Sequence, residues 1–516
     1  MSTANDHPSP GAKPLPSPEI AAFAGLVAGA LGLAVAHLVT AIDRGFRDPA
    51  VSVGDRLIDR VPPSVREWAI ATFGTSDKSA LLVGIYLGLV LGACLVGIVA
   101  LRRGQRSALV AVAAFGVIGG WAAIASPTSG VTAAFPSIAG AAATACALVV
   151  LRRCWIPRTD IANEGDRRRF LVGVGGLALV TVTLAGVGRA LRNRLGVAGE
   201  RLSLVLPRAR RALAPPPVGL EADVAHVSPL FTPNDRFYRV DTALFVPNVS
   251  TADWRLKIHG MVGRELTLRY EDLTRRELIE TDVTLCCVSN EVGGELVGNA
   301  RWLGCRLDDL LAEVGIDPAA DQVVGRSIDG WTSGFPVAAL DGRAAIIAIG
   351  MNGEPLPIKH GYPARLVVPG LYGYVSATKW LAELELTRFD RFSGYWIPRG
   401  WAQKAPIKTQ SRIDTPRGAI PAGRVAVAGV AWAGVRGIAR VEVRTDENGV
   451  WREATLGPEL AATTWRQWWL PWDATAGTHE ISVRATDGNG DTQTSAPAPP
   501  VPNGATGLHT RTIVVN

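Results

Sequence analysis

Two adjacent cysteines, Cys286 and Cys287, lie in the run Thr284-Leu285-Cys286-Cys287-Val288-Ser289-Asn290. The run reads as the end of a β-strand, where successive side chains point to opposite faces. Only one of the two thiols can then face a given site, and a disulfide between such neighbours would be strained. Free cysteine is often a core residue, and its thiolate is also a soft metal ligand. On these residues alone both readings stay open. The seven histidines, at 7, 37, 226, 259, 360, 479 and 509, form no His-x-x-x-His or His-Glu-x-x-His pair, which argues against a zinc hydrolase. One of them, His37, falls within a long apolar run, too few for a bis-histidine haem, so no haem is expected. The C-terminal part has no Gly-x-Ser-x-Gly elbow, and Gly173-Val174-Gly175-Gly176 and Gly293-Gly294 do not complete a nucleotide-binding loop.

The surroundings of the cysteines say more. The run 284–290, followed by Asn299-Ala300-Arg301-Trp302-Leu303-Gly304 and Leu307-Asp308-Asp309-Leu310-Leu311, resembles the core motif of the sulfite oxidase family, enzymes that carry a molybdenum–molybdopterin cofactor. Asn234-Asp235-Arg236-Phe237-Tyr238-Arg239 is similar to the segment by which that family grips the pterin. Met351-Asn352-Gly353-Glu354-Pro355-Leu356-Pro357, then His360-Gly361-Tyr362-Pro363-Ala364-Arg365, and Ser376-Ala377-Thr378-Lys379-Trp380 follow in the family's order. The resemblance covers about 224–516 and implies that Cys287 is the molybdenum ligand and catalytic residue, with Cys286 and Cys305 structural. It also implies that Asn234, Phe237, Tyr238, Arg239, Thr332, Ser333, His360, Arg365, Ser376, Thr378 and Lys379 bind the cofactor. Arg365 would offer its pyrophosphate a fork of donors and Lys379 a point charge.

This chain departs from the sulfite-oxidising pattern after the cysteine. Where those members have Ala-Gly-Asn-Arg-Arg, it has Val288-Ser289-Asn290-Glu291-Val292. Ile349 replaces a tyrosine, and Asp241 replaces a histidine. The cations that would bind a sulfite dianion are missing and acids stand in the pocket, so an anionic substrate is expected to be repelled. Sulfite is therefore not the expected substrate, and the bacterial branch that reduces sulfoxides is the better analogy. Asp241, Glu291 and Tyr374 are candidate pocket residues by position.

These residues need elements to hold them. Of the 516 residues, 48% are apolar and 19% charged, against about 25% charged in a typical soluble protein. The apolar excess gathers in residues 1–190, in charge-free spans of about 20–42, 80–101, 108–125, 133–151 and 170–187. Each is long enough to cross a bilayer, which takes about 17–25 apolar residues. Arginines crowd the 102–106 and 152–169 loops, which places those loops and the N-terminus in the cytoplasm and everything after residue 187 outside. An interfacial helix is expected near 62–73. Arg167-Arg168-Arg169-Phe170-Leu171 resembles a twin-arginine export signal, which suits a domain that folds around a cofactor before export.

Residues 191–220, with Pro215-Pro216-Pro217, read as a linker. Residues 221–410 mix short strands with a few helices, and from about residue 424 the pattern is purely β, with turn signals such as Asp487-Gly488-Asn489-Gly490. The expected fold is multi-domain: a five-helix transmembrane bundle, an α+β molybdopterin domain, and an Ig-like β-sandwich over 411–516. The resemblance makes the last a dimerisation domain, hence a homodimer. The expected activity is oxygen-atom or two-electron transfer on a small substrate outside the membrane, with a separate electron donor or acceptor, a protein or a quinone. The formal charge of +7 is too mild for a nucleic-acid binder. The alternative is a non-catalytic membrane protein using the fold as a binding or assembly module, against which the joint presence of Cys287, Arg365 and Lys379 argues. Spans whose only ionisable residue is His37 argue against a transporter.

Overall fold

The computed structural model describes residues 15–516 apart from 44–45, 63–64, 66–67, 70–71, 74–76, 126–129, 156–163, 244 and 447–448. By spatial clustering the chain forms two compact units, one ending at Gly196 and one running from Val197 to Asn516, with Ala243–Phe245 grouped with the first.

In the first unit, five helices are long and apolar enough to cross a membrane: Pro18–Thr40, Lys78–Arg103, Gln105–Ile124, Val131–Trp155 and Arg168–Leu191. The first opens on Ser17, whose side chain accepts from the Ile20 amide, with Pro18 at the position where no amide is needed. Close approach of these helices depends on glycine. A Cβ at Gly25 would lie 2.6 Å from the Gly97 Cα, and one at Gly32 would lie 2.6 Å from the Gly140 carbonyl. Their other faces leave large apolar side chains uncovered, among them Leu91, Val110 and Val182.

The polar stretch after the first helix forms an amphipathic helix, Pro49–Arg60, capped by Asp48. The other Asp48 oxygen lies 2.6 Å from His37 Nε2, so the histidine of the first apolar helix is paired. The interfacial helix expected near 62–73 lies partly outside the described residues. The triple arginine at 167–169 falls inside the helix Glu164–Leu195.

The stretch read as a linker does not run free after Gly196. Helix Val197–Ser203 begins the second unit, and Arg201 donates to the Pro355 and Leu356 carbonyls. Leu204 and Leu206 pack on the core, and Arg211 bridges to Ile279. The sequence hid this because the anchoring contacts go to residues far along the chain.

The α+β part of this unit holds two sheets. Its strands are β1 Arg255–Gly260, β2 Leu266–Arg269, β3 Leu278–Cys286, β4 Val297–Arg306, β5 Gln322–Ser327, β6 Phe335–Pro336, β7 Ile346–Met351, β8 Glu354–Pro355, β9 Arg365–Val367 and β10 Leu381–Thr387. One sheet has the order β2-β1-β10-β5-β6; the other has β3-β4-β7-β8 with β9 also on β7. Helix Leu307–Val314 follows β4 and buries Leu307, Leu310, Leu311 and Val314. Its burial at i, i+3, i+4 and i+7 is the pattern of one helical face.

The remaining strands are β11 Gln410–Thr415, β12 Ala419–Ile420, β13 Gly423–Trp432, β14 Ile438–Arg444, β15 Arg452–Glu453, β16 Thr455–Leu456, β17 Arg466–Ala474, β18 Gly477–Asp487 and β19 His509–Val515. They form sheets β11-β13-β17-β16 and β12-β19-β18-β14-β15 around a core that includes Val427, Val441, Trp468, Ile481 and Ile513. Trp432 and Trp465 leave that core and join the one that also holds Cys286, Val288 and Leu366. The two parts of the second unit thus share buried tryptophan surface.

Candidate active site

Strand β3 carries the cysteine pair to its end. Cys286 is its last residue, opposite Val297 of β4, and the Cys287 amide donates to the Leu296 carbonyl at 2.9 Å. The strand end is held from behind. The Thr284 amide donates to Thr463, its hydroxyl accepts from the Trp465 amide and donates to Asn299, and Asn299 in turn donates to Leu230. Cys286 turns into the apolar core, where burial pushes its thiol up. Cys287 lies on the other side, its Sγ 2.9 Å from Ser289 Oγ. Burial raises the Cys287 thiol too, while the Ser289 hydrogen bond and the positive charge of Lys379 act in the opposite direction. A buried thiol of this kind holds its proton until a metal cation displaces it.

Around that sulfur the chain brings together side chains from four segments. Tyr238 stacks on Phe237 at 5.3 Å between ring centres, and Phe237 meets Trp302 and His360 edge-on at 5.9 and 5.6 Å. Burial holds the Tyr238 phenol neutral, and the neighbouring Cys287 and Cys286 push the same way. His360 Nε2 lies 3.2 Å from the Asn234 carbonyl. Its burial, next to Arg365 and Lys379, lowers the imidazole to about 3, so it is neutral at ordinary pH.

Arg365 is 4% exposed and lies 5.1 Å from the Trp302 ring centre. Its three hydrogen bonds go to the carbonyls of Leu366, His360 and Ala377. Among the described residues no carboxylate pairs with it, and burial lowers it to about 10. A buried cation without a counter-ion is costly, so this guanidinium suits a site that receives an anionic group. Lys379 donates to the Val240 carbonyl and, at 2.8 Å, to Asp241; burial lowers its ammonium to about 8. Arg239 grips the same carboxylate through Nε at 2.6 Å and Nη2 at 3.3 Å. The donor set is one thiol, two cations, a neutral imidazole and a phenol. It fits a group with a soft metal at one end and phosphate at the other, with Cys287 at the metal and Arg365 and Lys379 at the phosphate.

The other expected cofactor residues make protein contacts. The Asn234 amide donates to Met351 and accepts from Asn352 Nδ2, a scaffold built on the positive φ of Asn352. Ser333 and Thr378, both fully buried, share a 2.7 Å hydrogen bond under Gly325, where a Cβ would lie 2.6 Å from the Thr378 hydroxyl. The Ser376 hydroxyl donates back to Leu371 and Tyr372 within its own turn. Thr332 is half-buried, and its carbonyl accepts from the Tyr395 amide.

Two expectations about the pocket need correction. Asp241 is not an acid left to repel anions, because its carboxylate bridges Arg239 and Lys379. The pairing joins residues 138 positions apart and is invisible in a linear reading. Tyr374 donates its hydroxyl to the Ala402 carbonyl and packs on Trp401, which makes it a packing residue; Glu291 is exposed. Two residues were missed as neighbours of the site, Ser289 and Trp302. Ser289 had a local signal, a hydroxyl two positions beyond the thiol at a strand end.

Residues 243–396, which contain Cys287, His360, Arg365 and Lys379, match the family model "Oxidoreductase molybdopterin binding domain". The chain is similar to the mitochondrial sulfite oxidase of Homo sapiens, with 31% identity over 319 residues, 52% of this chain and 58% of that one. It is also similar to the oxidoreductase YuiH of Bacillus subtilis (strain 168), with 31% identity over 148 residues, 29% of this chain and 72% of that one. Among solved structures it resembles the sulfane dehydrogenase SoxCD from Paracoccus pantotrophus, with TM-score 0.49, 25% identity, and 55% of this chain and 81% of that one covered. The chain spans little more than half the length of its mammalian relatives.

Proposed function

Since this chain belongs to the sulfite oxidase family of molybdopterin-dependent oxidoreductases, we propose that it is a membrane-anchored oxidoreductase acting on a small, uncharged oxygen-atom donor or acceptor outside the cytoplasmic membrane. The observation that carries the reading is the buried Cys287 thiol, which feels the charge of Lys379, together with Arg365, a buried guanidinium that pairs with no carboxylate among the described residues. Bound there, the molybdenum–molybdopterin group supplies two-electron and oxygen-atom chemistry that the protein's own side chains lack.

The chain's part is to place and screen. Cys287 gives up its proton to serve as ligand, and Ser289 Oγ is within hydrogen-bond reach of the sulfur. Arg365 and Lys379 hold the phosphate end, and neutral His360 and Tyr238 line the cleft without adding charge. The bridging Asp241 cancels part of the cationic charge that an anionic substrate would need. Sulfoxides and N-oxides are therefore favoured over sulfite.

The five apolar helices support membrane anchoring, and the arginine-rich loops support a cytoplasmic N-terminus with the catalytic part outside. Arg167-Arg168 serves as a twin-arginine export signal in this reading. Residues 221–410 form the cofactor domain, and residues 411–516 form an Ig-like domain that pairs two chains. Electrons pass to or from a separate protein or quinone.

Elemental analysis of the purified full chain for molybdenum, joined to a screen of sulfoxides, N-oxides and sulfite with an artificial electron donor and acceptor, tests the proposal. Molybdenum near one atom per chain with sulfoxide or N-oxide turnover is expected. A metal-free protein from cofactor-competent cells would overturn the enzyme reading, and turnover of sulfite alone would overturn the substrate class.

A further inference from the structure

The loop that follows Cys287 is tied to the C-terminal sandwich at two points. Arg412 of β11 donates through Nη1 to the Gly294 carbonyl at 2.8 Å. Gly293, at φ +78°, lies over the His509 ring of β19, where a Cβ would come within 2.3 Å of the imidazole. Inside the loop, the Asn290 amide donates to the Cys287 carbonyl, the Leu296 amide donates to Asn290 Oδ1, and Gly294 donates back to Glu291. Fixing Gly293 and Gly294 therefore fixes the frame in which Cys287 and Ser289 sit.

Arg412 is itself locked. Its Nε donates to Asp414 at 2.8 Å and its Nη2 to Ser228 Oγ at 2.7 Å, while Asp414 accepts from the Ser228 amide at 2.9 Å. Both ionic groups are buried, Arg412 at 8% and Asp414 at 1% exposure. His509 is held by the Ile413 amide, which donates to its Nδ1. One guanidinium thus joins three separate stretches: the sandwich, the segment leading to Asn234, and the cysteine loop. A planar fork with fixed donor directions is suited to that task.

We propose that Arg412 and His509 are positioning residues for Cys287, so that the sandwich helps to build the active site. They act through the loop backbone and touch neither cofactor nor substrate. The consequence for catalysis rests on the proposed role of Cys287; the consequence for the loop does not.

The test uses the full chain with cofactor, as R412Q, R412K and H509Q, read by hydrogen exchange and by the molybdenum EPR signature. In R412Q, exchange across 288–296 is expected to rise about ten-fold while the amides within β3 and β4 stay protected. With the metal retained, the EPR parameters shift and kcat falls about ten-fold with a smaller change in KM, in the range typical of groups that orient a metal ligand. R412K restores part of each, and H509Q moves the same readouts in the same direction. Exchange and EPR spectra equal to the parent's in a folded R412Q would overturn the inference. If R412Q does not fold, the same result in H509Q overturns it. Absence of molybdenum from the parent would instead sink the enzyme reading and leave the exchange result standing as the test of the clamp.

Discussion

Asp241 and Lys379 meet at 2.8 Å between Oδ2 and Nζ, in a place where both side chains are almost wholly withdrawn from solvent. Arg239 closes on the same carboxylate, so one acid is shared by two cations. This arrangement sets how much positive charge stands near Cys287.

Asp241→Asn should make the cleft more cationic. Sulfate or phosphate should inhibit turnover roughly three- to ten-fold more strongly at low ionic strength, with the difference shrinking as salt screens it. Inhibition constants at two salt concentrations check this. Equal inhibition of parent and variant would show that the shared acid does not set the anion response.

Arg365→Met separates binding from stability. Among the described residues the buried guanidinium donates to carbonyls and to no carboxylate, so its replacement in cofactor-free protein should leave Tm unchanged or raise it. In cells that make the cofactor, the same variant should purify with less molybdenum. Calorimetry and elemental analysis read the two arms, and a large fall in Tm of the cofactor-free form would contradict the first.

Acid should destabilise the second unit through its buried imidazoles. Burial, with Arg365 nearby, lowers His360 to about 3, and burial, with Arg511 and Arg412 nearby, lowers His509 to about 4. An unfolded chain takes up these protons below about 6.5. Between pH 6.5 and those lowered values the unfolded state binds more protons, so stability falls as pH falls, by at most ~1.4 kcal/mol per pH unit for each group. His360→Gln should flatten the decline of Tm between pH 6.5 and 4 in cofactor-free protein. A slope identical to the parent's would remove His360 from the account.

Cys287→Ser should fold with a Tm within a few degrees of the parent, because the change exchanges one small buried group for another. It should lose turnover altogether. Cys286→Ser, placed in the largely apolar core, should show the reverse: lower stability, from burying a more polar hydroxyl there, and retained turnover. Activity and thermal melts of the pair distinguish ligand from core residue.

What could be read in the sequence was local. Five apolar runs announced their helices because charge-free length is enough to do so, and the observed ends fall within a few residues of the expected ones. The strand run that ends at Cys286 was legible for the same reason, since it depends on neighbours alone. The Arg412 bond to Gly294 spans 118 residues and the Trp465 bond to Leu230 spans 235, and no periodicity encodes such pairs. The same limit explains the stretch after Gly196. Its prolines and arginines read as a linker, while Leu204 and Leu206 reach a core assembled from later sequence.

The glycine contacts of the N-terminal unit bear on how the chain is made. The helix Pro18–Thr40 meets Gly97, Gly140 and Gly188 along its length, and Gly188 belongs to the last of the five apolar helices. That helix therefore completes its contacts only after the helix that carries Gly188 has been synthesised. A nascent chain stalled before residue 188 holds that helix with the flank that Gly188 covers still bare.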